Sequence, residues 1–200
     1  MIAIIDYGAG NIFSVKNALD HLGLESSLVS DVKSVKSADA VILPGVGAFP
    51  AAMKKLEATG LINTIKEEAA RKPFLGICLG MQLIFEKGYE FEETDGLGLI
   101  GGSVIKMEEP DLIIPHMGWN KLEKLNDCTL LENIGDNEYV YFVHSYKADC
   151  DDSNIAAYSE YGGRVPALVY NGKYVYGAQF HPEKSGETGL KILKRFGELI

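Results

Sequence analysis

Residues 72–85 read Lys72-Pro-Phe-Leu-Gly-Ile-Cys78-Leu-Gly80-Met-Gln82-Leu-Ile-Phe85, and the fold is decided here. Phe74, Leu75 and Ile77 suit a buried strand, Pro73 marks its start, and Leu79, Gln82, Leu83 and Glu86 recur at helical spacing. The passage predicts strand, sharp turn and helix without a linker, with Cys78 at the corner. Gly76 and Gly80, two residues to either side, lack a Cβ, so strand and helix can approach closely around a strained residue whose side chain projects outward. This is the geometry of a nucleophile elbow, with sulfur in place of the serine oxygen of G-x-S-x-G. A helix N-terminus beneath a thiol favours the thiolate that attacks carbonyl carbon, and the Leu79 amide would face a developing oxyanion. A glycine-flanked cysteine is also compatible with an unreactive core residue. The elbow therefore needs a partner before it means catalysis.

Working outward, Ile2 to Ile5 form an apolar run that ends at Asp6-Tyr7-Gly8-Ala9-Gly10-Asn11, and Ile12, Val15, Ala18, Leu19 and Leu22 mark a helix stopped by Gly23. The glycine loop lacks the third glycine and the downstream acidic residue of a dinucleotide fingerprint, so no cofactor is expected there. A strand near Leu24–Ser30 and another at Ala40–Leu43 follow, the latter running into Pro44-Gly45-Val46-Gly47. That loop can turn backbone amides toward a ligand beside Leu79, although Pro-Gly-x-Gly alone is only a turn signal. Helices near 48–57 and 60–71 precede the elbow. Alternating β and α units predict an α/β fold with an open, mostly parallel sheet flanked by helices. Beyond residue 96 the β-prone runs shorten, and Asn171-Gly172 between Val169-Tyr170 and Lys173-Tyr174-Val175 predicts a type I′ hairpin, an antiparallel extension of the sheet. A final amphipathic helix carries Leu190, Leu193, Phe196 and Leu199.

The 200 residues, 46% hydrophobic, fit a single domain spanning 1–200 with a full core. A net charge of −9 disfavours nucleic-acid partners. Cys78, Cys128 and Cys150 are odd in number and widely spaced, which predicts neither a disulfide framework nor a metal site and suits a reducing compartment. The N-terminus has no basic region, and no apolar run is long enough to cross a bilayer. A cytoplasmic chain is expected.

A cysteine nucleophile requires a base, and the base an orienting acceptor. Of the histidines, His21 lies within a helix, whereas His181 is followed by Pro182 and Glu183. In an extended segment residues two apart project to one side. Glu183 could then accept one ring N–H of His181 while the other nitrogen faces Cys78. The alternative is a loop histidine with a local salt link.

With these residues in place, the chain resembles the class I (triad) glutamine amidotransferases, and among them the glutaminase subunits of imidazole glycerol phosphate synthase. The likeness runs through Asp6–Asn11, Pro44–Gly47, Gly76–Gln82, Pro115-His-Met-Gly-Trp119-Asn, His144-Ser-Tyr146 and His181-Pro-Glu183-Lys-Ser185. It implies that Cys78, His181 and Glu183 hydrolyse L-glutamine through a thioester, that Val46 and Leu79 supply oxyanion amides, and that Gly47, Gln82, Ser145 and Tyr146 hold the substrate's amino and carboxylate groups. It implies further a (β/α)8 barrel synthase subunit as partner, with Asn11, Met117, Trp119, Tyr141 and Lys184 at the docking face. Elementary chemistry points the same way, since ammonia released into neutral water is protonated and loses the lone pair an acceptor needs. Two other readings share the elbow and His-x-Glu: the glutaminase of another pathway, such as pyridoxal phosphate synthesis, and a silent binding subunit of the same fold.

Overall fold

A computed structural model describes residues 1–108 and 112–200. The chain opens β1 (Ile2–Ile5), α1 (Ile12–His21), β2 (Ser26–Val29), α2 (Val32–Ser37), β3 (Ala40–Gly45), α3 (Phe49–Ala58), α4 (Ile62–Ala69), β4 (Phe74–Cys78) and α5 (Leu79–Leu83). Short strands β5 (Lys87–Gly88), β6 (Thr94–Asp95) and β7 (Ser103–Lys106) lead to β8 (His116–Lys121), β9 (Glu123–Lys124), β10 (Tyr139–His144) and β11 (Tyr146–Asp149). The chain closes with β12 (Ile155–Glu160), β13 (Arg164–Tyr170), β14 (Val175–Ala178) and α6 (Gly186–Gly197).

The main sheet has the order β2-β1-β3-β4-β14-β13-β12-β9. Its first five strands run parallel, and β13, β12 and β9 extend it antiparallel. Alternation along each strand divides the core in two. Ile2, Ile4, Ile42, Leu75 and Ile77 face α1 and α6, through Val15, Leu19, Ile192 and Phe196. Ala3, Ile5, Val41, Leu43 and Phe74 face α2, α3 and α4, through Val35, Phe49, Leu56 and Ile65. A sheet covered on both faces needs apolar residues at every position, which is why the central strands read as continuous hydrophobic runs. Each such buried side chain contributes on the order of 2 kcal/mol. No helix among the described residues is long and apolar enough to cross a membrane.

Three expectations change. Helix α2 was not foreseen; Asp31 caps it by accepting from the Ser34 amide at 3.0 Å. Helix α5 stops at Leu83 instead of running to Glu86, because the amides of Leu97 and Leu99 take the Leu83 and Ile84 carbonyls, each at 2.8 Å. The Asn171-Gly172 turn is not type I′. Asn171 has a negative φ, the strands stop at Tyr170 and resume at Val175, and the Asn171 side-chain oxygen accepts from the amides of Lys173, Tyr174 and Val175 at 3.0–3.2 Å. The side chain does what a paired main chain would have done. Two further small sheets, β10-β8 and β11-β7-β5-β6, complete the architecture.

Lys72 ties α2 to α4. Its ammonium donates to the carbonyls of Val35, Lys36 and Ala38 at 3.2, 3.1 and 2.5 Å, and pairs with Glu68 at 2.8 Å. Both side chains are largely buried, at 12% and 6% exposure. Lys72→Met would take the donor from three carbonyls and leave the buried Glu68 with only the exposed Arg71, at 2.7 Å, so a loss of about 3 kcal/mol is expected. In a chain of this length that lowers the thermal midpoint by about 6–12 °C. A scanning calorimetry midpoint within 2 °C of wild type would contradict this, roughly the shift of a neutral surface change.

Candidate active site

The loops after β1, β3, β4 and β14 all leave the same edge of the sheet. Strand register sets their roots level: Gly45 lies opposite Cys78, and Ala178 opposite Ile77. The strand order reverses between β1 and β3, and such a switch point at the carboxyl ends of parallel strands is where open α/β sheets hold ligands.

Cys78 ends β4 and immediately precedes α5, with φ 53° and ψ −111°. A non-glycine residue adopts that conformation at a cost of about 1–3 kcal/mol, which the surroundings must enforce. They do so by contact of bare backbone. A Cβ on Gly76 would fall 2.6 Å from the Gly80 oxygen, and one on Gly80 only 1.8 Å from the Leu43 oxygen. The expected elbow is present.

His181 reaches Cys78 from β14 by way of Gln179 and Phe180. Its backbone N–H donates to Tyr141 O at 2.9 Å, and Ser185 Oγ donates to its carbonyl at 2.6 Å while accepting from the Tyr141 amide at 2.9 Å. Strand β10 thus fixes the histidine from behind. The ring's Nδ1–H donates to Glu183 Oε1 at 2.8 Å, which leaves Nε2 to interact with Cys78, whose Sγ lies 4.0 Å from the Val143 carbonyl oxygen. Pro182–Lys184 form a 3₁₀ turn, so Glu183 meets the ring across a tight turn and not along the extended segment expected from sequence. The Glu183 side chain is fully buried, and Asn11 Nδ2 approaches the same Oε1 at 3.4 Å. Its Oε2 has no hydrogen-bond partner among the described residues, so the His181 ring is the main partner of the buried carboxylate.

Burial by itself would push the His181 ring down. The hydrogen bonds and charges of Cys78 and Glu183 together outweigh it and raise the ring to about 9. At neutral pH the histidine holds both protons beside the sulfur. Tyr7 is held protonated by burial, with a smaller contribution from the neighbouring Cys78.

A cavity of about 300 Å³ opens above the sulfur, lined by Val46, Gly47, Cys78, Leu79, Gln82, Glu90, Pro115, Val143–Tyr146 and His181. That is the lower end of the range for small-molecule pockets. Every substrate-contact residue expected from sequence, Gly47, Gln82, Ser145 and Tyr146, lies on its wall, as do Val46 and Leu79. Gly47 sits at φ +101° in the exposed loop after β3. Gln82 is buried, with Nε2 donating to Tyr146 O at 3.1 Å and to Gln179 Oε1 at 3.0 Å. A larger cleft of about 590 Å³ contains Cys128 but no histidine, and burial pushes that thiol up to about 11. Volume alone would single out that cleft, which lacks the cysteine and histidine that meet at the smaller one.

None of the expected docking residues lines the cavity. Trp119 and Tyr141 are register partners on β8 and β10 with rings 6.1 Å apart, edge to face. Trp119 is 56% and Met117 62% exposed, which decides between a surface and a core tryptophan. Asn11 and Lys184 belong to the same neighbourhood through Glu183.

Sequence reading missed Glu90. Its Oε2 accepts from the Phe49 amide at 2.7 Å, capping α3, and its carboxylate borders the cavity. Lying in the acidic run Glu86–Glu93, it carries no signal of its own. His144, buried at the cavity wall, was quoted only as part of a motif.

The glutamine amidotransferase class-I family profile matches residues 3–199. The chain is 54% identical over 201 residues to "Imidazole glycerol phosphate synthase subunit HisH" of Listeria monocytogenes serotype 4a, covering all of this chain and 96% of that protein. Identity to the HisH subunit of Bacillus cereus strain AH187 is 51%, over 100% and 95% of the two chains. Among solved structures, a glutamine amidotransferase superposes with a TM-score of 0.77 at 21% identity over 100% of this chain and 98% of its own. A chain of PurLQS from Thermotoga maritima gives 0.73 at 23%, over 98% and 96%. These two speak for the fold alone. The full-length identities and the profile together establish that the chain belongs to the class-I glutamine amidotransferase family, in the branch that contains the HisH subunits.

Proposed function

We propose that this chain is the glutaminase subunit of an imidazole glycerol phosphate synthase, hydrolysing L-glutamine to glutamate and ammonia for a (β/α)8 synthase subunit in histidine biosynthesis. The observation that carries the reading is the row formed by the Cys78 thiol, the His181 ring and the Glu183 carboxylate at the mouth of an amino-acid-sized cavity. The HisH relatives supply the pathway.

In this reading Cys78 Sγ, its proton already passed to His181 Nε2, attacks the carboxamide carbon of glutamine, and the Leu79 and Val46 amides receive the negative charge on oxygen. The His181 imidazolium gives its Nε2 proton to the departing nitrogen, so ammonia leaves and a γ-glutamyl thioester remains. The neutral ring then takes a proton from water, whose hydroxyl displaces the sulfur and frees glutamate. Glu183 holds the imidazole with Nδ1–H toward itself throughout. Gln82 Oε1 and the Glu90 carboxylate suit the substrate's α-ammonium, while Gly47, Ser145 and Tyr146 are placed for its carboxylate. The exposed pair Met117 and Trp119, with Asn11, Tyr141 and Lys184, offers the docking face through which ammonia passes without meeting bulk water.

The test is pH dependence with covalent labelling. In the assembled complex, a glutamine-like diazo-ketone should modify Cys78 alone, and kcat/KM for glutamine should fall as pH rises through about 9, when the ring loses the proton it must donate. Glu183→Gln removes one of the interactions that raise the ring. Its alkaline limb should move to lower pH, with activity down roughly a hundredfold to ten-thousandfold. The stability that the charged ring contributes is fully present below about 6.5, its unfolded value, and disappears as pH rises through about 9. An unlabelled Cys78 in the complex, or an alkaline limb unmoved by Glu183→Gln, would count against the proposal.

A further inference from the structure

Behind the cavity runs a file of hydrogen bonds whose proton positions are all determined. Tyr146 O can only accept, so His144 Nδ1, 2.8 Å away, carries a proton. Burial pushes the His144 ring down to about 3 and His116 to about 4, so each ring holds one proton. His144 Nε2 is then the acceptor for His116 Nδ1–H at 3.0 Å. His116 Nε2, left with a lone pair, faces Asn120 Nδ2 at 3.3 Å. Asn120 cannot flip, because its Oδ1 accepts from the Lys121 amide at 2.7 Å and its Nδ2 also donates to Glu160 O at 2.9 Å.

At the other end, the Tyr146 carbonyl that receives His144 also receives Gln82 Nε2 at 3.1 Å. The second Nε2 proton goes to Gln179. With both amide protons used on the protein, the Gln82 carboxamide is locked and its oxygen is left for the cavity. The His116 ring is clamped between Phe142 and Tyr161, at centroid distances of 4.6 and 4.0 Å. Residues 116, 118 and 120 share one face of β8, and the opposite face presents Met117 and Trp119 to solvent.

We propose that Asn120, His116 and His144 are positioning residues that orient the Gln82 carboxamide for the α-ammonium of the substrate, and so set glutamine affinity from the strand that carries the exposed Met117–Trp119 face. The inference rests on the glutaminase reading above. His116, His144 and Gln82 are all buried, and buried polar groups of this kind are costly to maintain unless they are paired, as the two rings and the Gln82 amide protons are here.

The test compares glutamine with glutaramate, the same amide acid without the α-amino group, in the assembled complex. His144→Phe is expected to raise KM for glutamine about tenfold with most of the loss in KM and not kcat, while glutaramate kinetics move less than about twofold. His144→Asn keeps a donor at the Nδ1 position and should restore KM to within about threefold of wild type. His116→Phe, which keeps the ring stack, should give an intermediate rise. Independently of any turnover, nitrogen NMR of the wild-type rings at pH 7 should find both His116 and His144 neutral and protonated at Nδ1. The proposal falls if either ring shows the other tautomer, if both substrates suffer equally, or if kcat collapses with KM unchanged. A wild-type complex that hydrolyses no glutamine while the NMR pattern holds would strike the glutaminase reading and spare the proton arrangement.

Discussion

Cys78→Ala is expected to lower glutamine hydrolysis in the assembled complex by roughly five to six orders of magnitude, and adding His181→Ala to it should cost almost nothing more. The sulfur interacts with the ring, and the ring is hydrogen-bonded to the Glu183 carboxylate, so once the attacking atom is gone the others have no reaction to assist. Synthesis by the synthase partner should survive when ammonium salt replaces glutamine, because the lesion lies upstream of its chemistry. The thermal midpoint separates catalytic loss from misfolding. The alanine at position 78 still sits at positive φ, as Cys78 does, so Cys78→Gly should prove about 1 kcal/mol more stable than Cys78→Ala by relieving that strain. Residual turnover within a hundredfold of wild type would remove Cys78 from the role of nucleophile.

Gly80→Ala is the change expected to damage the fold most for its size. The added methyl would sit 1.8 Å from the Leu43 oxygen and 2.8 Å from its carbonyl carbon. Both atoms belong to the backbone of β3, which is locked in register between β1 and β4. Nothing flexible is available to yield, so α5 must lift or β3 must slide, and either breaks the elbow. A loss of about 4 kcal/mol or more is expected, equivalent to about 8–16 °C in midpoint for a chain of this length. Glutaminase activity should fall with it, since the Leu79 amide moves with α5. Gly101→Ala, at a position with nothing within 4 Å of the added methyl, serves as the neutral control. If the two variants melted together, backbone contact would not be what holds the elbow.

Much of the site was legible because its parts are local. The glycine spacing around Cys78 and the short step from His181 to Glu183 are properties of a few consecutive residues, and both appear in the structure where the sequence put them. The means were partly misjudged: Glu183 reaches the ring through a 3₁₀ turn, and the Asn171 turn is closed by a side chain. Glu90 and the His116–His144 file were not legible at all. A carboxylate in an acidic run and two histidines 28 residues apart acquire their roles only when α3, β8, β10 and β11 converge.

The buried parallel strands, the covering helices other than α2 and the elbow could be read from residue order alone, because burial periodicity and glycine sterics act over a turn or a strand. Contacts between distant segments were needed to bring Cys78, His181 and Glu183 to one cavity and to join His116, His144 and Gln82 in one file of hydrogen bonds. Both arrangements depend on partners from distant segments and on exclusion of water, and neither exists until the sheet has closed.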